Sequence, residues 1–81
     1  MFYTYVLKST KDNKFYVGST SDLRKRVKFH NQGRVKSTAY RKPLVLVYYE
    51  ACLNKSKAEE RERFFKTGFG KGFLKKRFDY W

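Results

Sequence analysis

The sequence predicts an α+β domain: a small three-stranded antiparallel sheet flanked by helices, ordered β-β-α-β-α, with a short C-terminal helix left open. Three observations lead there. Two aromatic and β-branched runs near the N-terminus are separated by turn residues, a third apolar run follows Pro43, and helical periodicity follows the second and third runs. A chain of 81 residues buries only about 60% of the surface its unfolded form exposes, which supports one core and a single domain over residues 1–81.

Phe2 to Leu7 and Phe15 to Gly18 read as strands, and Lys11-Asp12-Asn13-Lys14 between them is turn chemistry, so the first 18 residues form a hairpin. Ser21 and Asp22 offer N-cap oxygens to a helix from Leu23 to His30, which Gly33 stops. Residues 34–42 are polar and basic and read as a loop, closed by Pro43. Leu44 to Tyr49 is a third strand, apolar on both faces and therefore expected to be well covered. Ser56 and Glu59 have capping-box spacing for a second helix with an Ala58, Arg61, Phe65 stripe ending near Gly68. Gly68, Gly70 and Gly72 are expected to break the chain before Phe73 to Phe78, a basic aromatic segment. Its Lys71, Lys75, Lys76 and Arg77 suit a DNA-binding face, while Phe73, Phe78 and Trp81 suit closing the core.

Composition narrows the class. Twenty Lys and Arg against seven Asp and Glu give a net charge of +13, beyond the magnitude of about 2 to 8 usual for a small domain. The excess is shared by both halves of a patterned chain, which indicates a folded basic surface for a polyanion, with nucleic acid first. The lone Cys52 excludes an internal disulfide, and no Cys/His set suits zinc. No apolar run approaches the roughly 20 residues of a membrane span, and the N-terminus has no leader pattern. The expectation is a cytoplasmic protein without a membrane partner, taken as a monomer.

Several residues are out of place for packing alone. With Leu23 and Val27 facing the core, Arg26 and His30 share one side of the first helix. In the second helix Glu62 falls closest to the inward stripe, Glu59 being assigned to the cap and Glu60 to solvent. Strand alternation puts Tyr3, Tyr5 and Leu7 on one face and Tyr16 opposite to Phe15 and Val17. If Tyr5 and Tyr16 meet the inner edges of both helices, two phenols, a guanidinium, an imidazole and a carboxylate converge in a site for phosphate chemistry. Singly, each has a blander role: strand tyrosines usually pack, and a lone helix histidine is usually structural.

Taken in order, the residues resemble the GIY-YIG nuclease superfamily, in particular its small stand-alone bacterial members. The resemblance rests on Tyr3-Thr4-Tyr5, Tyr16-Val17-Gly18, Asp22 to Val27, His30-Asn31-Gln32-Gly33, Thr38, Arg41-Lys42-Pro43, Leu46 to Glu50 and an A-x-x-x-E-x-x-x-K pattern ending at Glu62 and Lys66. Tyr3 and Thr4 replace the glycine and isoleucine of the family name, and Ser19 stands where many members carry a lysine. The resemblance implies the three-stranded sheet and a catalytic set of Tyr5, Tyr16, Arg26, His30 and Glu62.

That set implies a metal-dependent endonuclease for DNA, structure-specific or weakly sequence-specific, in repair or recombination. Glu62 is then the ligand of one Mg²⁺ or Mn²⁺, since one hard carboxylate with waters and a phosphate oxygen suffices. Arg26 suits transition-state charge. A phenol is only about one-thousandth ionised at pH 7 without nearby positive charge, so Tyr16 or Tyr5 competes with His30 as general base. A single His and no carboxylate cluster exclude paired-histidine and two-metal nuclease sites. The alternative is a non-catalytic nucleic-acid-binding module, with RNA as well as DNA open to it.

Overall fold

The turn chemistry and alternation of the first 20 residues produce the expected hairpin. In a computed structural model, which describes residues 1–78, β1 spans Phe2–Ser9 and β2 spans Phe15–Thr20. Asn13 takes a positive φ of 60° in the turn, and Asp12 Oδ1 accepts the Lys14 N–H at 2.9 Å. β3 (Leu44–Cys52) pairs with the other side of β1, so the sheet order is β2-β1-β3 and every pairing is antiparallel. β1 is thus the central strand, and its Thr4 to Leu7 are all buried.

The third strand is less covered than its composition suggests. It is an edge strand, Val45 and Tyr49 are about half exposed, and a register shift opposite Val6 and Leu7 skips Val47. Apolar residues on both of its faces reflect a sheet with helices on both sides, not burial of this strand.

Helix α1 (Leu23–Asn31) links β2 to β3. Asp22 is its N-cap, accepting the Lys25 N–H at 3.0 Å, and Gly33 beyond its end has φ +75°. Asn31 fastens the helix end to β3 in strand-like fashion. Its Oδ1 accepts the Leu44 N–H (2.7 Å) and its Nδ2 donates to the Leu44 carbonyl (2.8 Å). On this face Tyr5, Leu7 and Leu44 form a buried cluster with Tyr16, Leu23, Val27 and Leu46 packed against it.

Helix α2 (Lys55–Phe65) covers the opposite face. The expected Ser56–Glu59 capping box does not form. Asn54 caps the helix by accepting the Lys57 N–H, and Ser56 Oγ instead donates to Asn54 Oδ1 at 2.6 Å, because the helix starts two residues earlier than the box requires. The helix ends at Phe65, and the glycine-rich stretch does not break the chain. It forms α3 (Gly68–Lys75), capped by Thr67, whose Oγ1 accepts the Gly70 N–H at 3.1 Å. Gly70 is buried where the start of α3 crosses the end of α2, and a Cβ there would collide with the Phe64 backbone. Val6, Phe65 and Leu74 are buried on this face, with Phe73 and Phe78 among the rings packed around them, as expected for core closure. The expectation for Trp81 lies outside the described residues.

A polar clasp ties this layer to β3. Arg61 donates to both Glu50 oxygens (2.9 and 2.7 Å), the Tyr48 hydroxyl donates to Glu50 Oε2 (2.8 Å), and the guanidinium lies over Phe65 at 4.7 Å. Burial alone raises the Glu50 pKa, but the bonds from Arg61 and Tyr48 outweigh it and hold the carboxyl below its ordinary value. Glu50→Ala leaves a half-buried guanidinium unpaired and is expected to cost about 1–2 kcal/mol, after allowance for solvent screening. A thermal melt should show a Tm lower by several degrees.

Candidate active site

Three of the five predicted site residues meet at one phenol. Tyr5 is fully buried, and its hydroxyl lies 2.9 Å from His30 Nε2 while accepting from Arg26 Nε at 3.3 Å. Strand register explains the approach: Tyr5 is paired with Gly18, and a Cβ at residue 18 would come within 2.5 Å of the Tyr5 oxygen and 3.1 Å of the Tyr16 ring. Only glycine lets the phenol lie across β2 there. Tyr16, two residues along β2 on the same face, packs edge-on against His30 with centroids 4.9 Å apart.

His30 is also fully buried, and both of its ring nitrogens have partners. Nδ1 lies 2.7 Å from Thr38 Oγ1, supplied by a short 3₁₀ turn (Lys36–Thr38) in the segment read as a loop. Because Arg26 donates to the Tyr5 oxygen, the phenol proton is free to point at Nε2. Thr38 can in turn donate to the Val35 carbonyl (3.5 Å), which assigns the ring proton to Nδ1. Loss of water around the imidazole, reinforced by the nearby Arg26 charge, lowers its pKa to about 4. The ring is therefore neutral at pH 7. Burial raises the Tyr5 pKa above its ordinary value against the opposing Arg26 hydrogen bond, and that bond, first among its influences, raises the pKa of Arg26.

Glu62 hydrogen-bonds elsewhere, although its charge reaches the Tyr5 phenol. The two helices do not bring their inner edges to one face of the sheet: α1, which links β2 to β3, covers one face, and α2 covers the apolar side chains of the other. Glu62 therefore reaches β2 from the α2 side. Its Oε1 accepts from Ser19 Oγ at 2.7 Å and its Oε2 from Lys66 Nζ at 2.9 Å. Burial raises its pKa, yet the Lys66 and Ser19 hydrogen bonds more than offset this, leaving it below the usual carboxylate value and ionised at pH 7. The site is thus built around the outer edge of β2, with the aromatic cluster on one side and the carboxylate on the other.

Ser19 and Thr38 are the partners that sequence reasoning missed. Ser19 has the same strand parity as Val17 and so faces α2, a signal available from alternation. Thr38 sits in a segment with no periodicity, where nothing local marks it as buried.

The sequence matches the family model of the GIY-YIG catalytic domain over residues 1–77. The chain belongs to the GIY-YIG family. Similar proteins include a UPF0213 protein of Clostridium perfringens (strain 13 / Type A), 46% identical over 67 residues that cover 82% of this chain and 71% of the relative. The UPF0213 protein YazA of Bacillus subtilis (strain 168) is 46% identical over 63 residues, 76% of this chain and 63% of YazA. A UPF0213 protein of Staphylococcus haemolyticus (strain JCSC1435) is 44% identical over 66 residues, 80% of this chain and 79% of the relative. The match to YazA thus spans less than two thirds of that protein. No solved structure matches the chain significantly. The GIY-YIG family is of nuclease type. No helix among the described residues is long and apolar enough to cross a membrane.

Proposed function

We propose that this GIY-YIG domain is a metal-dependent endonuclease that hydrolyses phosphodiester bonds in DNA, structure-specific or weakly sequence-specific, serving repair or recombination. The observation that carries the reading is the hydrogen-bonded Arg26–Tyr5–His30–Thr38 chain ending at the same strand edge as an ionised glutamate. A purely structural role does not require a guanidinium to be anchored by a buried phenol next to a second, accessible phenol.

Burial divides the roles. Tyr5 and His30 are fully enclosed, so neither touches a substrate, whereas Tyr16 and Arg26 are only partly covered. Tyr16 is then the general base that takes the proton of the attacking water, with His30 and Tyr5 holding its ring and the guanidinium in place. Arg26 keeps its Nε on Tyr5 and offers its other nitrogens to the phosphate, where a planar fork matches the oxygens. In that step the Tyr16 phenolate takes the proton and becomes the neutral phenol, with the Arg26 charge beside it.

The donor chemistry fits one hard divalent cation, Mg²⁺ or Mn²⁺. Glu62 is ionised and partly accessible, and its Lys66 partner is a flexible, half-exposed side chain able to swing away. Among the described residues no three His, Cys, Asp or Glu side chains gather, so waters and phosphate oxygens complete such a shell. Bound there, the cation supplies Lewis-acid stabilisation of phosphate and leaving-oxygen charge.

Incubating supercoiled and branched DNA with Mg²⁺ or Mn²⁺ tests the reading. The wild type is expected to nick or cut, and Glu62→Ala to lose at least about a hundredfold in rate. Equal product from both proteins, or none from either across substrates, contradicts it and favours the non-catalytic binding module on DNA or RNA.

A further inference from the structure

We propose that a cavity at the outer edge of β2, beside Tyr16, is a subsite for the base of an unpaired nucleotide next to the cleaved phosphate. The cavity measures about 260 Å³ and is lined by Phe15, Tyr16, Val17, Phe65, Lys66 and Lys71. It is framed by β2, the end of α2 and the middle of α3, and it is separate from the hydrogen-bonded network over α1. The identity of the polymer rests on the nuclease reading. The subsite itself rests on the cavity.

Three features specify the occupant. Phe15, Val17 and Phe65 make the lining mostly apolar, and Phe65 is fully buried, which gives a floor that does not shift. Lys66 and Lys71 are exposed cations on the same cavity, so a ligand that combines a flat apolar body with anionic groups is matched on both counts. The volume lies just below the roughly 300–1,000 Å³ of drug-sized sites, the scale of one base with part of its sugar. A nucleotide has this shape and charge.

Position supplies the rest. Tyr16 belongs both to the aromatic cluster with Tyr5 and His30 and to the cavity wall, so the occupant lies one residue from the reacting phosphate. A base paired within a duplex cannot enter, because its faces and edges are already engaged; the base must be single-stranded, bulged or flipped out. The domain is thereby fitted to DNA with an unpaired nucleotide at the cleavage point, and intact duplex is disfavoured. Lys71 takes part because Gly70 lets α3 pack closely against the end of α2.

The test is an NMR titration of the full chain, without divalent metal, using deoxyadenosine 5′-monophosphate and, separately, deoxyribose 5-phosphate. The nucleotide is expected to shift the Val17 methyl and Phe15 ring resonances saturably and to bind at least about fivefold more tightly than the sugar phosphate. Lys71→Ala should weaken nucleotide binding several-fold, and Val17→Phe, which fills the cavity, should abolish the Phe15 shift, a melting curve recorded beside it reporting on the Val6 cluster that Val17 also packs against. As a second measurement, the wild type should prefer DNA with a one-nucleotide bulge over the fully paired duplex, and Val17→Phe should lose that preference. Equal binding of the two small molecules, shifts that bypass Val17 and Phe15, or a bulge preference that survives Val17→Phe would overturn the subsite. Since no step needs cleavage, a protein that passes this titration yet never cuts DNA keeps the subsite and loses the endonuclease reading. One that cuts DNA but fails the titration loses the subsite alone.

Discussion

Arg26→Ala is expected to lower single-turnover DNA cleavage by roughly a hundred- to a thousandfold, the usual cost of removing one preorganised transition-state donor. The fold should persist. Tyr5 keeps its His30 partner at 2.9 Å, and the Arg26 side chain is not part of either buried cluster. DNA affinity should change little, because one cation among 20 Lys and Arg removes at most one phosphate contact from the salt dependence. Arg26→Lys should recover only a small part of the rate. An ammonium carries the charge, but it cannot hold the Tyr5 oxygen through Nε and present a planar fork at the same time. Nicking rates at saturating protein, read beside binding curves at several salt concentrations, separate these effects.

His30 predicts a second large effect, on stability against pH. Its folded pKa of about 4 lies below the ordinary value near 6.5, so folding favours the neutral ring. The stabilisation is complete above pH 6.5 and is lost as pH falls toward 4, where the unfolded chain takes up a proton that the native imidazole refuses. The amount is on the order of 3 kcal/mol. Arg26 is the charged neighbour that opposes protonation, and Tyr5, Tyr16 and Thr38 are the remaining groups against the ring. Denaturant melts of wild type and His30→Gln across pH 7 to 4 check this: the wild type should lose stability more steeply, and parallel curves would contradict it. Glu50 and Glu62, also held below their ordinary values, add an acid loss common to both proteins at the low end of this range.

How far these residues were readable from the sequence depends on whether their signals were local. Helix spacing suffices to put Arg26 with His30 on one side of α1, whereas whether Tyr5 and Tyr16 share a face depends on hairpin register, which the structure supplies by pairing Tyr5 with Gly18 and Leu7 with Tyr16. The depth of His30 was not readable. It follows from Thr38 closing over the ring, a contact between segments eight residues apart through an aperiodic turn. Glu62 was recognisable as the inward-leaning glutamate of α2, but its side of the sheet was not, because that depends on α1 already occupying the other face. The capping box failed for a similar reason: Asn54, two residues earlier, offers an equally good oxygen, and spacing alone does not choose between them. Glycines at 68, 70 and 72 argued for a broken chain by their weak helix propensity, and the packing of Gly70 against α2 overrides it.

Tyr16→Phe is the most direct test of the central claim, that the outer edge of β2 cleaves phosphodiesters with Tyr16 as the accessible base. The substitution removes one oxygen and keeps the ring that packs against Tyr5 and His30. Single-turnover cleavage with Mg²⁺ or Mn²⁺ should fall by at least about a hundredfold with DNA binding unchanged within about twofold. A variant that cleaves at the wild-type rate would contradict the account.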